Sequence, residues 1–167
     1  MIIVLFGVRG SGKDTVGDLL RYNHGFKKEA FANPLKAMVK IAFPAFTDDD
    51  LYGPSKNREK PYTQYPFTGP CLACGNPVML RGDSDNAWRC GHCETQYPAF
   101  VTPRLALQTL GTEWGRRLYQ NVWIDACFDR IRKPVERYAY ETEKPVEPNW
   151  VITDGRFHNE LNRIKEL

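Results

Sequence analysis

The 167-residue chain has no long apolar stretch and little excess of charge of either sign. Its longest apolar run, Met1 to Phe6, is too short to cross a bilayer, and the glycine-rich segment after it lacks the small-residue cleavage site of a signal peptide. A net charge of +3 is too small for a dedicated nucleic-acid or membrane binder. We therefore expect a soluble cytoplasmic protein without a membrane partner, and nucleic acid is the less favoured partner.

Internal repeats and low-complexity tracts are also missing, and 42% of the residues are hydrophobic, which excludes extensive disorder. A chain of this length can bury the core of one ordinary domain without disulfides. Cysteine is scarce, but four of the five cysteines form two Cys-x2-Cys pairs. In a reducing compartment such pairs indicate a metal site.

Strand and helix signals alternate along the chain, which predicts an α/β fold with a parallel sheet. The run Ile2 to Phe6 is typical of a strand buried on both faces, and a glycine turn follows it. The other expected elements are a helix at 13–22, a short strand at 28–31, a helix at 33–43, a mostly irregular stretch at 44–70, helices from 103 to 119 and from 121, a surface excursion at 134–149, a strand at 150–153 and a helix from 158.

The segment Gly7–Thr15 (GVRGSGKDT) stands between the first strand and the first helix, as a phosphate-binding loop requires. Glycines let backbone N–H groups turn toward a phosphate, and the helix N-terminus favours its negative charge. Lys13 is expected to be exposed and to reach the β- and γ-phosphates of ATP. The other residues predicted to bind the ATP phosphates are Gly10, Ser11, Gly12, Asp14 and Thr15. Asp14 stands where Ser or Thr usually holds Mg²⁺. It either approaches the metal, directly or through water, or is an acidic residue of the first helical turn that the helix dipole favours.

A second acidic position, Asp154, ends the apolar strand that begins at Trp150. In phosphate-loop proteins such an aspartate often orients water on the metal, although aspartate also ends strands as a turn residue. Arg156 follows at the same carboxyl edge of the sheet, where ligands bind, and its planar charge suits a phosphate. The alternative is a surface arginine that pairs with Glu160. Lys13, Asp154 and Arg156 are the predicted catalytic residues.

The helix that begins at Pro103 has two different faces. The apolar face is expected to pack in the core and comprises Leu107, Leu110, Trp114 and Leu118. The other face comprises Arg104, Gln108, Gly111, Thr112 and Gly115. Two glycines within a helix cost about 1 kcal/mol each relative to alanine, which indicates a close neighbour. That neighbour is either a nucleotide base, read by Gln108 while Arg104 holds a phosphate, or another helix. Cys127 has helical spacing with apolar residues and is predicted to be a buried thiol without chemistry.

The pairs Cys71/Cys74 and Cys90/Cys93 have the spacing of a four-cysteine zinc site, with Gly75 and Gly91 at the tight turns. The segments 78–81 and 87–89 flank the polar turn 82–86, which predicts a two-stranded ribbon held by metal. Four thiolates fill the coordination sphere, so the expected zinc is structural. Arg81, Trp88 and Arg89 would permit nucleic-acid binding, but the low net charge makes it the less favoured function.

Several segments together resemble the bacteriophage-type deoxynucleoside monophosphate kinases of the phosphate-loop superfamily. The resembling segments are Gly7–Thr15, Ala30–Lys36, Leu51–Lys56, Thr102–Arg116 with Trp123, and Val151–Glu160. The resemblance implies a three-layer α/β/α core at 1–67 and 101–167, with the zinc ribbon inserted at 68–100. It implies phosphate transfer from ATP, with Mg²⁺, to a (deoxy)nucleoside monophosphate. The residues it assigns to the acceptor nucleotide are Arg104, Gln108 and Arg156, with Lys36 and Arg58 as weaker candidates.

The chain also departs from the family's pattern. Asn33 stands where the family often has Asp, and Gly155 where it often has Val. The relatives continue past the last helix with another strand and further arginines, so the resemblance implies an enzyme whose C-terminal part is missing and whose turnover is poor. The localisation it implies is the host cytoplasm of a phage, and a homodimer stays open. The alternatives are a phosphate-loop kinase of another small phosphorylated acceptor and a zinc-ribbon nucleic-acid-binding protein with a nucleotide switch.

Overall fold

The computed structural model of the protein describes residues 1–8, 10–77, 79–81, 87–141 and 148–166. The chain forms two compact units. Unit 1 comprises Met1–Ala37 and Gly115–Leu167, and unit 2 comprises Met38–Trp114.

The helices and strands follow one another in an α/β order that contains one all-β stretch. In chain order they are β1 (Ile2–Phe6), α1 (Lys13–His24), β2 (Lys27–Glu29), α2 (Asn33–Ala42), α3 (Asp48–Tyr52), a 3₁₀ turn (Ser55–Glu59), β3 (Met79–Arg81), β4 (Ala87–Cys90), β5 (Gln96–Pro98), α4 (Pro103–Gln108), a π-helix (Thr109–Arg116), α5 (Val122–Glu141), β6 (Trp150–Gly155) and α6 (His158–Glu166).

Unit 1 contains a parallel sheet with the strand order β1-β6-β2. The predicted parallel sheet is thereby confirmed. The register pairs Trp150 of β6 with Ile2 on one side and with Lys27 on the other. Strand β6 is the buried central strand. The expectation that β1 is buried on both faces is wrong, because β1 is an edge strand of the described sheet and its end residues Ile2 and Phe6 are exposed.

Helices cover both faces of this sheet. Side chains alternate along a strand, so Trp150 and Ile152 of β6 point to one face and Thr153 to the other. On the first face, Trp150 and Ile152 belong to a core cluster with a row of α5 residues, which are Ile124, Cys127, Phe128 and Ile131. On the second face, Thr153 meets Gly17 of α1 so closely that a Cβ on Gly17 would lie 2.3 Å from the threonine methyl.

Unit 2 contains an antiparallel sheet with the strand order β3-β4-β5. The sequence predicted only two of these strands, because β5 is short and has no hairpin signal before it. Cys71, Cys90 and Tyr97 form the buried centre of this part. Val78 and the predicted turn 82–86 lie outside the described residues.

The helix expected from Pro103 to Tyr119 is present, but it changes type. It begins as α4 with Thr102 as N-cap and continues as the π-helix from Thr109. The wider π turn rotates the following residues, and the predicted core stripe is wrong at Trp114 and Leu118, which are 47% and 72% exposed. Gly111 and Gly115, on the opposite side, are buried instead.

Two irregular stretches expected from the sequence contain more helix than predicted. Between 44 and 70 both α3 and the 3₁₀ turn form. The surface excursion expected at 134–149 is wrong for residues 134–141, which belong to α5, and residues 142–147 lie outside the described residues. Among the helices that the structure describes, none is both long and apolar enough to cross a membrane.

Candidate functional site

The glycine loop of unit 1 joins the end of β1 to the start of α1. Gly10 and Gly12 have φ angles of 82° and 80°, which L side chains rarely adopt. Gly12 caps α1, and its carbonyl accepts the first helical hydrogen bond from the N–H of Val16 at 3.0 Å. Arg9 lies outside the described residues. The loop therefore has the strand–turn–helix context that the sequence predicted.

Lys13 is folded back into this loop. Its ammonium donates to the carbonyl oxygens of Gly7 at 2.6 Å and Val8 at 2.7 Å, and to Ser11 Oγ at 3.2 Å. The expectation that Lys13 is exposed is wrong, because the residue is only 9% exposed. Three oxygens satisfy the three N–H donors of the ammonium. A phosphate that enters the loop would have to compete with these oxygens for the lysine.

Asp14 lies in the first turn of α1 and is paired. Its Oδ1 is 3.1 Å from the ammonium of Lys28 and accepts a hydrogen bond from Thr153 Oγ1 at 3.2 Å. Partial burial alone would raise the pKa of Asp14, but the hydrogen bond and charge of Lys28 outweigh it and hold that pKa below its usual value. The carboxylate is therefore charged at neutral pH and already has a counter-ion.

Lys28 and Gly17 contribute to this site but were not predicted from the sequence. Lys28 lies on β2 and contacts Asp18 of α1 at 2.9 Å in addition to Asp14. Gly17 permits the close approach of Thr153 to α1, whereas a Cβ there would lie at ordinary contact distance, 3.5 Å, from Lys28 Cε. A glycine in the middle of a helix was the available signal for this close approach. The position of Lys28 in the sequence gives no indication that Asp14 and Asp18 are its partners.

Asp154 connects β6 to the segment before α2. Its two carboxylate oxygens accept the backbone N–H groups of Phe31 at 2.7 Å and Ala32 at 3.0 Å. Beside it Glu29, at the end of β2, accepts a hydrogen bond from Asn33 Nδ2 at 2.6 Å. Each carboxylate oxygen can accept a second bond, so these contacts do not exhaust the capacity of Asp154 to bind a metal or its water.

Arg156 is exposed, and the structure gives its side chain no partner among the described residues. The alternative that it pairs with Glu160 is wrong. Glu160 is buried and contacts Arg116 at 3.4 Å, while it accepts the backbone N–H groups of Arg156 at 2.7 Å and Phe157 at 3.0 Å. The Arg156 guanidinium is consequently available to an anion at the carboxyl edge of the sheet.

The other predicted acceptor residues are divided between the units. In unit 2, Arg104 of α4 contacts the 3₁₀ turn, because it pairs with Glu59 and donates to Ser55 Oγ at 3.0 Å. Arg58 belongs to the same turn and donates to the carbonyl of Leu51 at 3.2 Å. The structure therefore brings Arg58 and Arg104 to one turn of unit 2. Gln108 is exposed at the end of α4, while Lys36 lies on α2 in unit 1.

The four cysteines of unit 2 form one cluster. The Sγ atoms of Cys71, Cys74, Cys90 and Cys93 all lie within 4.8 Å of one another, and none is in a disulfide. The Cys71–Cys93 and Cys74–Cys90 pairs are 3.5 and 3.6 Å apart. Four sulfurs at about 2.3 Å from one zinc ion stand about 3.8 Å apart, so the cluster has the size of a tetrahedral zinc site.

Two similar turns hold the cysteines. In the first turn, the backbone carbonyl of Cys71 accepts the N–H of Gly75 at 2.7 Å. In the second, the backbone carbonyl of Cys90 accepts the N–H of Glu94 at 3.2 Å. Gly75 and Glu94 both have left-handed backbones, with φ of 73° and 59°. The sequence predicted the tight turn of the second pair at Gly91, whereas the residue with the left-handed backbone there is Glu94.

Tyr97 supports the cysteine cluster from β5. Its hydroxyl lies 3.5 Å from Cys71 Sγ and accepts the N–H of Ala73 at 3.0 Å. The hydrogen bond from Tyr97 lowers the pKa of Cys71 to about 6, which favours the thiolate that binds metal. The fifth cysteine, Cys127, is fully buried in unit 1, where burial raises its pKa, so the prediction that this thiol is buried is confirmed.

Comparison with known proteins finds one informative similarity. No family model matches the chain. The chain is 29% identical over 169 residues to a protein of Acanthamoeba polyphaga mimivirus that bears the name "Putative deoxynucleotide monophosphate kinase". The similarity covers the whole of this chain and 69% of the mimivirus protein.

Proposed function

We propose that the chain is a nucleotide kinase that transfers a phosphate from ATP to a (deoxy)nucleoside monophosphate. The observation that carries this proposal is the glycine loop, which follows a parallel strand, has left-handed glycines at Gly10 and Gly12, and ends in Lys13 at the start of a helix. This is the construction that binds nucleotide phosphates. The mimivirus protein named as a deoxynucleotide monophosphate kinase supports the same activity.

The donor phosphates would lie in the loop. Phosphoryl transfer needs mainly positioning and charge neutralisation, so no protein nucleophile is required. Lys13 would exchange its loop oxygens for phosphate oxygens, while the backbone of Gly10 to Thr15 donates N–H groups. Asp14 and Asp154 carry the carboxylates for Mg²⁺ or its waters, and the ion would supply charge neutralisation between the phosphates.

The acceptor monophosphate would be held by arginines. Arg156, exposed at the sheet edge, is the acceptor candidate in unit 1. Arg104 is the candidate in unit 2, and an incoming phosphate would replace Glu59 as its partner. Gln108 is proposed to read the base, with Lys36 and Arg58 as further phosphate contacts. The four cysteines of unit 2 would hold a structural zinc ion.

The direct test measures ADP formation from ATP with each of the four deoxynucleoside monophosphates, Mg²⁺ being present. We expect one or two monophosphates to support turnover and Lys13→Met to abolish it, since the remaining loop cannot neutralise the transferring phosphate. The matched control is Lys27→Met, a lysine of β2 outside the loop, which should keep its activity. Circular dichroism checks that both variants fold.

A thermal-shift screen separates the proposal from its two rivals. Stabilisation by ATP together with one or two nucleoside monophosphates supports the kinase. Stabilisation by another class of phosphorylated metabolite would indicate a kinase with a different acceptor. Stabilisation by oligonucleotides alone would indicate a nucleic-acid-binding protein. Absence of both ATP stabilisation and ADP formation would contradict the proposed function.

A further inference from the structure

Lys28 is a charged residue of unit 1 to which the proposed chemistry gives no role. Its ammonium lies 3.1 Å from Asp14 Oδ1 and 2.9 Å from Asp18 Oδ1, and 3.5 Å from the backbone carbonyl of Asp14. It thus joins β2 to the first turns of α1, directly after the glycine loop. Because Lys28 is held by two carboxylates, we do not expect it to bind a phosphate directly.

The fold is built to bring this lysine to Asp14. The missing side chain of Gly17 on α1 admits the Thr153 methyl, since a Cβ there would lie 2.3 Å from it, whereas the Lys28 stem would only be in ordinary contact at 3.5 Å. Thr153 is buried and donates its hydroxyl to the same oxygen of Asp14 that Lys28 contacts. Two strands therefore fix one carboxylate oxygen, at the conformational cost of a glycine within α1.

Charge explains why the carboxylate needs this support. The common phosphate loop has a neutral Ser or Thr after its lysine, whereas this chain has Asp14. A free carboxylate at that place repels the polyphosphate of ATP, and Asp18 one turn later adds to the repulsion. An ammonium between the two carboxylates cancels about one of the two charges and turns Asp14 toward the sheet.

We propose that Lys28 is a positioning residue of the phosphate loop, which neutralises and orients Asp14 so that the loop can accept the polyphosphate of ATP. The inference rests on the proposed function, because it concerns the same loop. It assigns Lys28 a role through Asp14 and not through direct contact with the nucleotide.

The test is a double-mutant cycle on ATP binding, measured by calorimetry in EDTA and again with Mg²⁺. The variants are Lys28→Gln, Asp14→Asn and the two combined, with Lys27→Gln on the same strand as the matched control. We expect Lys28→Gln to weaken ATP binding about five- to tenfold in EDTA at low salt, and less with Mg²⁺, which supplies another counter-charge. In the Asp14→Asn background, Lys28→Gln should weaken ATP binding by less than about twofold.

Salt dependence distinguishes this role from a purely structural one. Asp14 is largely exposed, so the effect of Lys28→Gln should shrink as the ionic strength rises, and Lys28→Arg should bind ATP within about threefold of the wild type. An equal loss in both Asp14 backgrounds, or a loss independent of salt, would overturn the inference. If Lys28→Gln does not fold, weak binding by a folded Lys28→Arg variant would overturn it instead. A wild-type chain that binds no ATP would refute the proposed function itself, whereas normal ATP binding by Lys28→Gln would refute only the role of Lys28.

Discussion

Asp50 is a buried, charged residue of unit 2. It is buried, and its Oδ2 accepts the N–H of Thr47 at 2.7 Å, the hydroxyl of Thr47 at 2.6 Å and the hydroxyl of Tyr62. Burial alone would raise the pKa of Asp50, but the hydrogen bonds from Thr47 and Tyr62 outweigh it and hold that pKa below its usual value. Burial, and then the hydrogen bond to Asp50, raises the pKa of Tyr62 to about 12.

This network predicts an acid-dependent loss of stability. Because the folded pKa of Asp50 lies below its unfolded value, its contribution is present above about pH 4 and is lost as the pH falls through the folded pKa. Asp50→Asn should lower the stability of unit 2 by about 2–3 kcal/mol at pH 7, since an amide cannot accept all three donors. Urea unfolding at pH 7, 5 and 3 measures this difference, which should narrow at pH 3. A difference that does not change with pH would contradict the argument.

At the scale of helices and strands, Glu160 connects helix α6 to the turn before it and to the end of the π-helix in unit 1. Its carboxylate accepts two N–H groups of the turn between β6 and α6, and it contacts Arg116 at the end of the π-helix. The Arg116 guanidinium also lies 4.1 Å from the ring centroid of Phe157 in the same turn. The carboxylate therefore fixes the backbone beside Asp154 and Arg156.

We predict that Glu160→Ala destabilises unit 1 by about 3 kcal/mol, because it leaves two backbone N–H groups and the partly buried guanidinium of Arg116 without their carboxylate partner. Glu160→Gln should cost about half as much, since its amide oxygen still accepts an N–H group. Thermal unfolding followed by circular dichroism compares the two variants. Glu166→Ala, which removes a carboxylate from an exposed ion pair on the same helix, is the control and should change stability by less than about 0.5 kcal/mol.

The sequence predicted these elements well where local signals and packing agree. The residues of β1, the start of α2 at Asn33, the glycine stop of α1 at Gly25 and the parallel sheet all follow from periodicity and capping. The predictions are wrong where contacts between residues far apart in the sequence determine burial. An apolar run such as Ile2–Phe6 does not reveal whether its strand is central, and the π turn that exposes Trp114 has no sequence signal.

The same division holds for the candidate site. The glycine loop and the four cysteines have fixed spacings, so their chemistry could be inferred from the sequence alone. Lys28, Thr153 and Glu94 act through neighbours that only the fold supplies, and their residue types are common at other positions. Pairing partners of this kind cannot be read from a single chain without its fold.

At the scale of the whole molecule, each unit has its own core. The cluster around Ile124 and Ile152 belongs to unit 1, and the cluster around Cys71 and Tyr97 belongs to unit 2. The cysteine cluster therefore contributes to the stability of unit 2 through its own contacts. Metal binding to such a cluster is coupled to folding.

We predict that the purified protein holds about one zinc ion per chain and that Cys74→Ser loses it. The variant should lose amide-exchange protection in β3, β4 and β5, while the parallel strands of unit 1 keep theirs. Elemental analysis and hydrogen-exchange mass spectrometry measure both effects. The matched control is Cys127→Ala, which removes a cysteine outside the cluster and should keep the zinc. A metal-free wild-type protein, or a disulfide between the pairs, would refute the prediction.

The two turns of the cysteine cluster differ in backbone cost, and this difference would set an order of metal binding. Gly75 adopts its left-handed backbone without steric cost, whereas Glu94 does so at a cost of about 1 kcal/mol. The Cys71/Cys74 turn would therefore be populated more often in the metal-free protein and would bind the ion first, as a bidentate ligand. The Cys90/Cys93 turn would close around the ion afterwards. Metal uptake by this protein should thus be a fast capture followed by a slower closure, and metal release should begin at the turn that contains Glu94.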